Sequence, residues 1–345
     1  MLHTETVWLN ILIFAIGLCF LVKGSDWFVG GSAFVANHFK VPKIIIGLTL
    51  VSIGTSLPEL ATDVCSSIQG LTDAAYKEIP MGDTPGSNIS NILLVLGLSV
   101  VLIRRVPINK LLFARDTMVM LGIFVVFAVM YYTFDISQAN GGGAGINRFE
   151  GGILLLIFAA YMTFLIRRKD DISDEVCEVE DEAAKKFKNI TMAIVFLVSG
   201  GCMVGIGAKL MVDNTAWGAA RLGIPATIIS ATVIAFGTSL PELSVTVAGI
   251  IKKETDIALG NIIGSNIFNL VFVMGIASLI GEVPAVENVN YIIPYLLLSG
   301  AVLVTFMRTG WTLVRWEGIV LLLLYIVYIS INVYTAISLN INKLT

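Results

Sequence analysis

The sequence predicts an all-α integral membrane protein: ten transmembrane helices forming two five-helix repeats of opposite topology. Three observations carry this. Of the 345 residues, 56% are apolar and 14% charged, with mean hydropathy +0.87, whereas a soluble domain carries about 25% charged residues. The apolar residues gather into runs of about the 20 residues that span a bilayer. A seven-residue motif also recurs in both halves of the chain. Such a composition excludes a soluble enzyme and a disordered chain. The net charge of −3 gives no basic surface for nucleic acid. The only histidines, His3 and His38, offer little for imidazole metal sites. The cysteines (Cys19, Cys65, Cys177, Cys202) show no paired spacing, so no disulfide framework is expected.

The apolar runs lie near 7–23, 41–68, 82–103, 116–134, 149–166, 190–211, 223–251, 256–280, 290–307 and 312–337, each a candidate membrane helix. No Lys or Arg precedes the first run and no small-residue cleavage site follows it, so it is expected to stay in the mature protein. Asp26 and Trp27, just past it, read as interfacial anchors. Of the 22 Lys and Arg residues, all but Lys77, Arg148, Lys209, Arg221 and Lys343 fall in the loops after the odd-numbered helices. The positive-inside bias then places both termini outside the cell membrane and the odd-numbered loops in the cytoplasm.

One loop is polar and longer than the others. Between Arg167 and Lys188 it holds Asp170, Asp171, Asp174, Glu175, Glu178, Glu180, Asp181 and Glu182. It lacks the ordered alternation and turn glycine of an EF-hand and reads as a solvated hinge. The chain accordingly divides into a first repeat at 1–166 (motif 52–91), a cytoplasmic hinge at 167–189 and a second repeat at 190–345 (motif 235–269). A glycine-rich insert at 139–145 reads as a flexible external loop.

Residues 54–60 and 237–243 both read GTSLPEL, an offset of 183; GDTPGSNISN at 82–91 answers GNIIGSNIFN at 260–269, an offset of 178. Five spans per half is an odd number, so the second half must cross the membrane in the opposite sense. Inverted repeats built on interrupted helices are an architecture of secondary transporters, with the substrate site between the repeats near the midplane.

The motif has hard-cation chemistry. Glu59 and Glu242 stand mid-span with no basic residue nearby in sequence, and an intramembrane carboxylate costs at least a few kcal/mol. Pro58 and Pro241 remove a backbone donor and break each helix, releasing carbonyls near Gly54–Thr55 and Gly237–Thr238. Thr55 and Glu59 share a helix face, as do Thr238 and Glu242, Ser87 and Asn91, and Ser265 and Asn269. These groups offer carboxylate, amide, hydroxyl and carbonyl oxygen without nitrogen or sulfur, which suits Ca²⁺ and Na⁺. Two carboxylates balance one Ca²⁺ or two Na⁺, a physical basis for exchange.

GTSLPEL with GSNISN, and GTSLPEL with GNIIGSNIFN, resemble the two α-repeats of the sodium/calcium exchanger family of Ca²⁺/cation antiporters, in its prokaryotic or archaeal form without a large regulatory domain. The resemblance implies Na⁺-driven Ca²⁺ extrusion by alternating access, with helices 1 and 6 sliding over a fixed core. It assigns Ca²⁺ to Glu59, Glu242 and the carbonyls of Thr55 and Thr238. The carbonyls of Ser52 and Ala235, with Ser56, Ser87, Ser239 and Ser265, would line flanking Na⁺ sites, and Asn91 and Asn269 would complete the centre. Several relatives carry Asp where this chain has Asn269, which puts the Na⁺ count per Ca²⁺ in question. Conversely Asp63 and Asp83 have no acidic counterpart, their matches being Thr246 and Asn261. They are expected to line an external vestibule and concentrate cations there.

Other readings are a Ca²⁺/H⁺ antiporter, in which Glu59 and Glu242 titrate, and a Ca²⁺ channel, which the inverted repeat disfavours. An enzyme is not expected: Ser56 and Ser239 have no membrane histidine and no nucleophile elbow. No P-loop pattern supports nucleotide use. The expected partners are inorganic cations and lipid, with no cofactor and a functional monomer.

Overall fold

The computed structural model describes residues 7–38, 52–133, 145–167, 188–251, 255–285 and 290–344, and it is mostly helical. Grouping segments that abut, the helical elements are α1 (Val7–His38), α2 (Ser52–Thr55 and Leu57–Gly70), α3 (Ile79–Ser90, Asn91–Leu96, Gly97–Ile103) and α4 (Lys110–Leu112, Phe113–Thr117, Met118–Thr133). There follow α5 (Arg148–Arg167), α6 (Ile190–Leu222), α7 (Ala226–Ile229, Ser230–Ile234, Ala235–Thr238, Leu240–Ile251) and α8 (Thr255–Phe268, Asn269–Val273, Met274–Ile280). The last two are α9 (Ile292–Arg308) and α10 (Arg315–Leu344). Among the described residues, 8 stretches are long and apolar enough to cross a membrane, and Ile292–Arg308 is a shorter apolar helix. The chain is a multi-pass membrane protein. Large apolar side chains face outward, Leu156 at 70% and Ile326 at 59% exposure, while carboxylates and amides are enclosed. That polarity suits a lipid surround. The acidic hinge and the glycine-rich insert lie largely outside the described residues, as do Lys40, Lys43 and the beginning of the 41–68 run.

The first apolar run does not end at 23. Helix α1 continues through Asp26 and Trp27 to His38, 32 residues in all, so these two residues sit inside a helix rather than after one. Lys23 and Asp26 pair across one turn at 3.7 Å, and the Trp27 ring lies 4.8 Å from Phe196. Helix α6, 33 residues, lies along α1 over much of its length. Glycine sets their separation. A methyl carbon added at Gly17, Gly24 or Gly31 would lie 3.0, 2.8 or 2.6 Å from the carbonyl oxygen of Gly207, Gly200 or Ala193. At 1.5 Å per residue these helices measure about 48 Å, well over the ~30 Å hydrocarbon core, so they must tilt or project.

Prolines and π turns interrupt the helices that carry the motifs. In α2 the break falls at Ser56, two residues before Pro58; in α7 it falls at Ser239, two before Pro241. In α3 and α8 a π-helical turn begins at Asn91 and at Asn269, matching positions of the two halves. Such turns concentrate at functional sites because they redirect a side chain without ending the helix.

Short strands join the halves. β1 (Arg105–Pro107), which follows α3, pairs antiparallel with β4 (Thr312–Val314), which precedes α10. β2 (Gly145–Ile146), preceding α5, pairs with β3 (Val283–Pro284), which follows α8. The helices repeat this exchange: Gly97 of α3 meets Gly318 of α10, and Gly275 of α8 meets Gly151 of α5.

Candidate cation site

α2, α3, α7 and α8 meet at the centre, and the two motifs meet with them. Glu59 and Glu242 are both fully buried and close enough to interact electrostatically. Each draws on the other half of the chain. Ser56 Oγ donates to Glu242 Oε1 at 3.2 Å, and the hydroxyls of Ser87 and Thr238 approach Glu59 without closing a hydrogen bond to it. Those two hydroxyls instead meet each other at 3.2 Å. Thr55 Oγ1 donates to Asn261 Oδ1 at 3.2 Å, and Asn91 Nδ2 to Ser265 Oγ at 3.3 Å.

The broken helices set this arrangement. Because Pro58 and Pro241 carry no N–H, the carbonyls of Gly54 and Gly237 lose their regular partners one turn back. Ser52 and Ala235 open the short segments Ser52–Thr55 and Ala235–Thr238 that carry the first half of each motif. The π turns begin at Asn91 and Asn269, both fully buried, and Asn91 reaches across to Ser265.

What remains unpaired defines the chemistry. Both oxygens of Glu59, Oε2 of Glu242, and Oδ1 of Asn91 and of Asn269 are buried without a donor; Asn269 Nδ2 and Ser239 Oγ are also unpartnered. Leaving a buried acceptor unsatisfied costs about 1–3 kcal/mol, more when it is charged. Among the described residues no Lys or Arg pairs with either glutamate; the ion pairs Lys23–Asp26, Arg115–Asp116 and Lys209–Asp213 lie elsewhere. A cluster in which unpartnered buried oxygen acceptors outnumber the unpartnered donors is built to receive a cation. Among the described residues no three His, Cys, Asp or Glu side chains group as a metal cluster. The oxygens on offer are carboxylate, amide and hydroxyl, a set that suits Ca²⁺ and Na⁺ rather than Zn²⁺.

Asp63 and Asp83, expected at an external vestibule, are both fully buried in this conformation. Close by, α3 approaches α7, and a methyl carbon added at Gly86 would lie 2.9 Å from Ala231 Cα. Thr84 Oγ1 donates to Asp63 Oδ2, and Ser87 Oγ to Asp83 Oδ1 at 3.4 Å. The structure also adds two residues that sequence reasoning passed over. Asn88 Nδ2 donates to the carbonyl of Asn266 at 2.9 Å, and both side-chain carbonyls, Asn88 Oδ1 and Asn266 Oδ1, are buried without a donor. Their signal was present, since Ser-Asn recurs at 87–88 and 265–266.

A family model described as sodium/calcium exchanger protein matches residues 9–167 and 192–334. The sodium/calcium exchanger MaX1 of Methanosarcina acetivorans is 32% identical over 360 residues, covering 94% of this chain and 99% of its own. A membrane protein of Methanocaldococcus jannaschii, MJ0091, is 35% identical over 322 residues, covering 93% and 97%. A solved structure of the sodium-calcium exchanger NCX_Mj, soaked with 10 mM Na⁺ and 10 mM Sr²⁺, superposes with a TM-score of 0.62 at 33% identity, covering 94% of this chain and 99% of that one. Another, soaked with 2.5 mM Na⁺ and 0.1 mM Ca²⁺, gives 0.61.

Proposed function

The chain belongs to the sodium/calcium exchanger family, and from that premise we propose that it moves Ca²⁺ out of the cell against Na⁺, by alternating access around the buried glutamates. The observation that carries this is the pair Glu59 and Glu242, drawn from matching motifs, enclosed together and left with unpaired oxygens. Two buried carboxylates are tolerable only when their charge is neutralised. One Ca²⁺ does this, and so do two Na⁺. Competition for the same oxygens then couples the opposing fluxes without nucleotide or cofactor.

In this reading Glu59, Glu242 and the carbonyls of Thr55 and Thr238 hold Ca²⁺, with Asn91 and Asn269 at the centre. The carbonyls of Ser52 and Ala235, with Ser56, Ser87, Ser239 and Ser265, hold Na⁺ on either side. The architecture is ten spans in two inverted halves, 1–166 and 190–345, joined by the acidic cytoplasmic hinge 167–189. Both termini are extracellular, and the chain works as a monomer in the plasma membrane. The exchanged partnering of β1 with β4 and of β3 with β2 supports the inversion. A two-fold axis relating the halves generates each pairing from the other. The full enclosure of Glu59 and Glu242 fits a step at which neither face of the membrane reaches the site.

Uptake of ⁴⁵Ca²⁺ into proteoliposomes tests the proposal. Reconstituted protein is expected to accumulate Ca²⁺ when a Na⁺ gradient is imposed, and Glu59→Gln to lose at least about 100-fold of that rate, the consequence of some 2.7 kcal/mol of lost ion binding. Uptake that follows a pH gradient alone would move the chain to proton coupling.

A further inference from the structure

The two motif regions differ in charge next to Glu59. Asp63 on α2 and Asp83 on α3 correspond to Thr246 and Asn261 in the second half. Both acids are fully buried, and their carboxyl groups lie within hydrogen-bonding reach of each other. Thr84 satisfies one oxygen of Asp63 and Ser87 one of Asp83. The remaining oxygens, Asp63 Oδ1 and Asp83 Oδ2, have no donor. Glu59 adds its own charge to the neighbourhood, and among the described residues no Lys or Arg pairs with either aspartate. Ser67, one turn beyond Asp63 on the same helix face, is 4% exposed and keeps its hydroxyl unpartnered. Two carboxylates from different helices thus converge in a closed, all-oxygen setting.

We propose that Asp63 and Asp83 form an accessory Ca²⁺ site, specific to the first half of the chain and separate from the central one. The inference rests on the hard-cation reading of the neighbouring centre. A divalent ion balances both aspartates, whereas a single Na⁺ leaves one charge uncompensated in a dry interior. Two carboxylates, the Thr84 hydroxyl and the Ser67 hydroxyl make up most of the six to eight oxygens that Ca²⁺ takes. With the termini outside, the site lies on the extracellular side of Glu59, so Ca²⁺ leaving the centre meets a second pair of acids before water. The second half, with Thr246 and Asn261, has no such station.

Equilibrium dialysis of the purified full chain with ⁴⁵Ca²⁺ tests this. The double variant Asp63→Thr/Asp83→Asn installs the residues that the second half already accommodates at matching positions. It is expected to bind one Ca²⁺ fewer per chain than wild type while retaining one. Equal counts in the two proteins overturn the proposal, and so does complete loss of Ca²⁺, which would make the aspartates part of the central site. Should the double variant not fold, Sr²⁺-soaked crystals of the wild-type protein decide: an anomalous peak between the two carboxyl groups supports the site, and none at saturating Sr²⁺ removes it. Failure of Na⁺-driven uptake in wild type would instead remove the exchange reading, leaving the ion count to be judged by itself.

Discussion

Asn269 is fully buried, and neither end of its amide has a partner. It begins the π turn of α8 and carries a neutral oxygen. Asn269→Asp adds a third carboxylate there. Ca²⁺ is expected to bind about 10-fold more tightly, some 1.4 kcal/mol, as measured by isothermal titration calorimetry. Unchanged affinity would place Asn269 outside the coordination sphere. At this scale the two identical motifs made Glu59, Glu242 and their hydroxyl neighbours legible in the sequence, because a carboxylate in an apolar run must be compensated. Asn88 and Asn266 were just as duplicated, yet an Asn beside a Ser in a helix reads as ordinary interhelical bonding. The enclosure of Asp63 and Asp83 was not legible at all. It depends on how the surrounding helices pack around these two residues, which no local pattern encodes.

Helix α1 shows why element boundaries are harder to read than element identity. Lys23, Gly24, Ser25 and Asp26 interrupt the apolar run, so hydropathy ends the helix there. The backbone continues because those residues are accommodated: Lys23 and Asp26 pair with one another, and Gly24 lies against Gly200 of α6. Glycine costs up to about 1 kcal/mol in a helix interior, and dispersion contacts between closely apposed backbones offset it. Gly24→Leu forces side-chain atoms into a separation where even a methyl carbon would lie 2.8 Å from a carbonyl oxygen. The expected cost is about 1–3 kcal/mol, seen as a lower Tm of the purified protein in detergent. A variant as stable as wild type would mean that α1 and α6 do not meet through these glycines. The breaks in α2 and α7, by contrast, were legible from Pro58 and Pro241. Proline acts through its own ring and missing N–H, which are local properties.

For the whole molecule, the duplication at offsets of 183 and 178 points to a two-part plan, but not to how the parts interlock. The structure answers that through partners far apart in the chain. α3 is clipped by β1 and β4 to the beginning of α10, and α8 by β3 and β2 to the beginning of α5. Glycine contacts tighten both junctions, Gly97 with Gly318 and Gly275 with Gly151. Neither half therefore contains the surface that completes its own third or fifth helix. The swap has a consequence for assembly: a polypeptide severed near residue 177 keeps every one of these junctions, since each is made by the opposite fragment. Co-expressed fragments 1–177 and 178–345 should find one another in the bilayer and co-purify through a tag on either, whereas each synthesised by itself should be degraded as an orphan subunit.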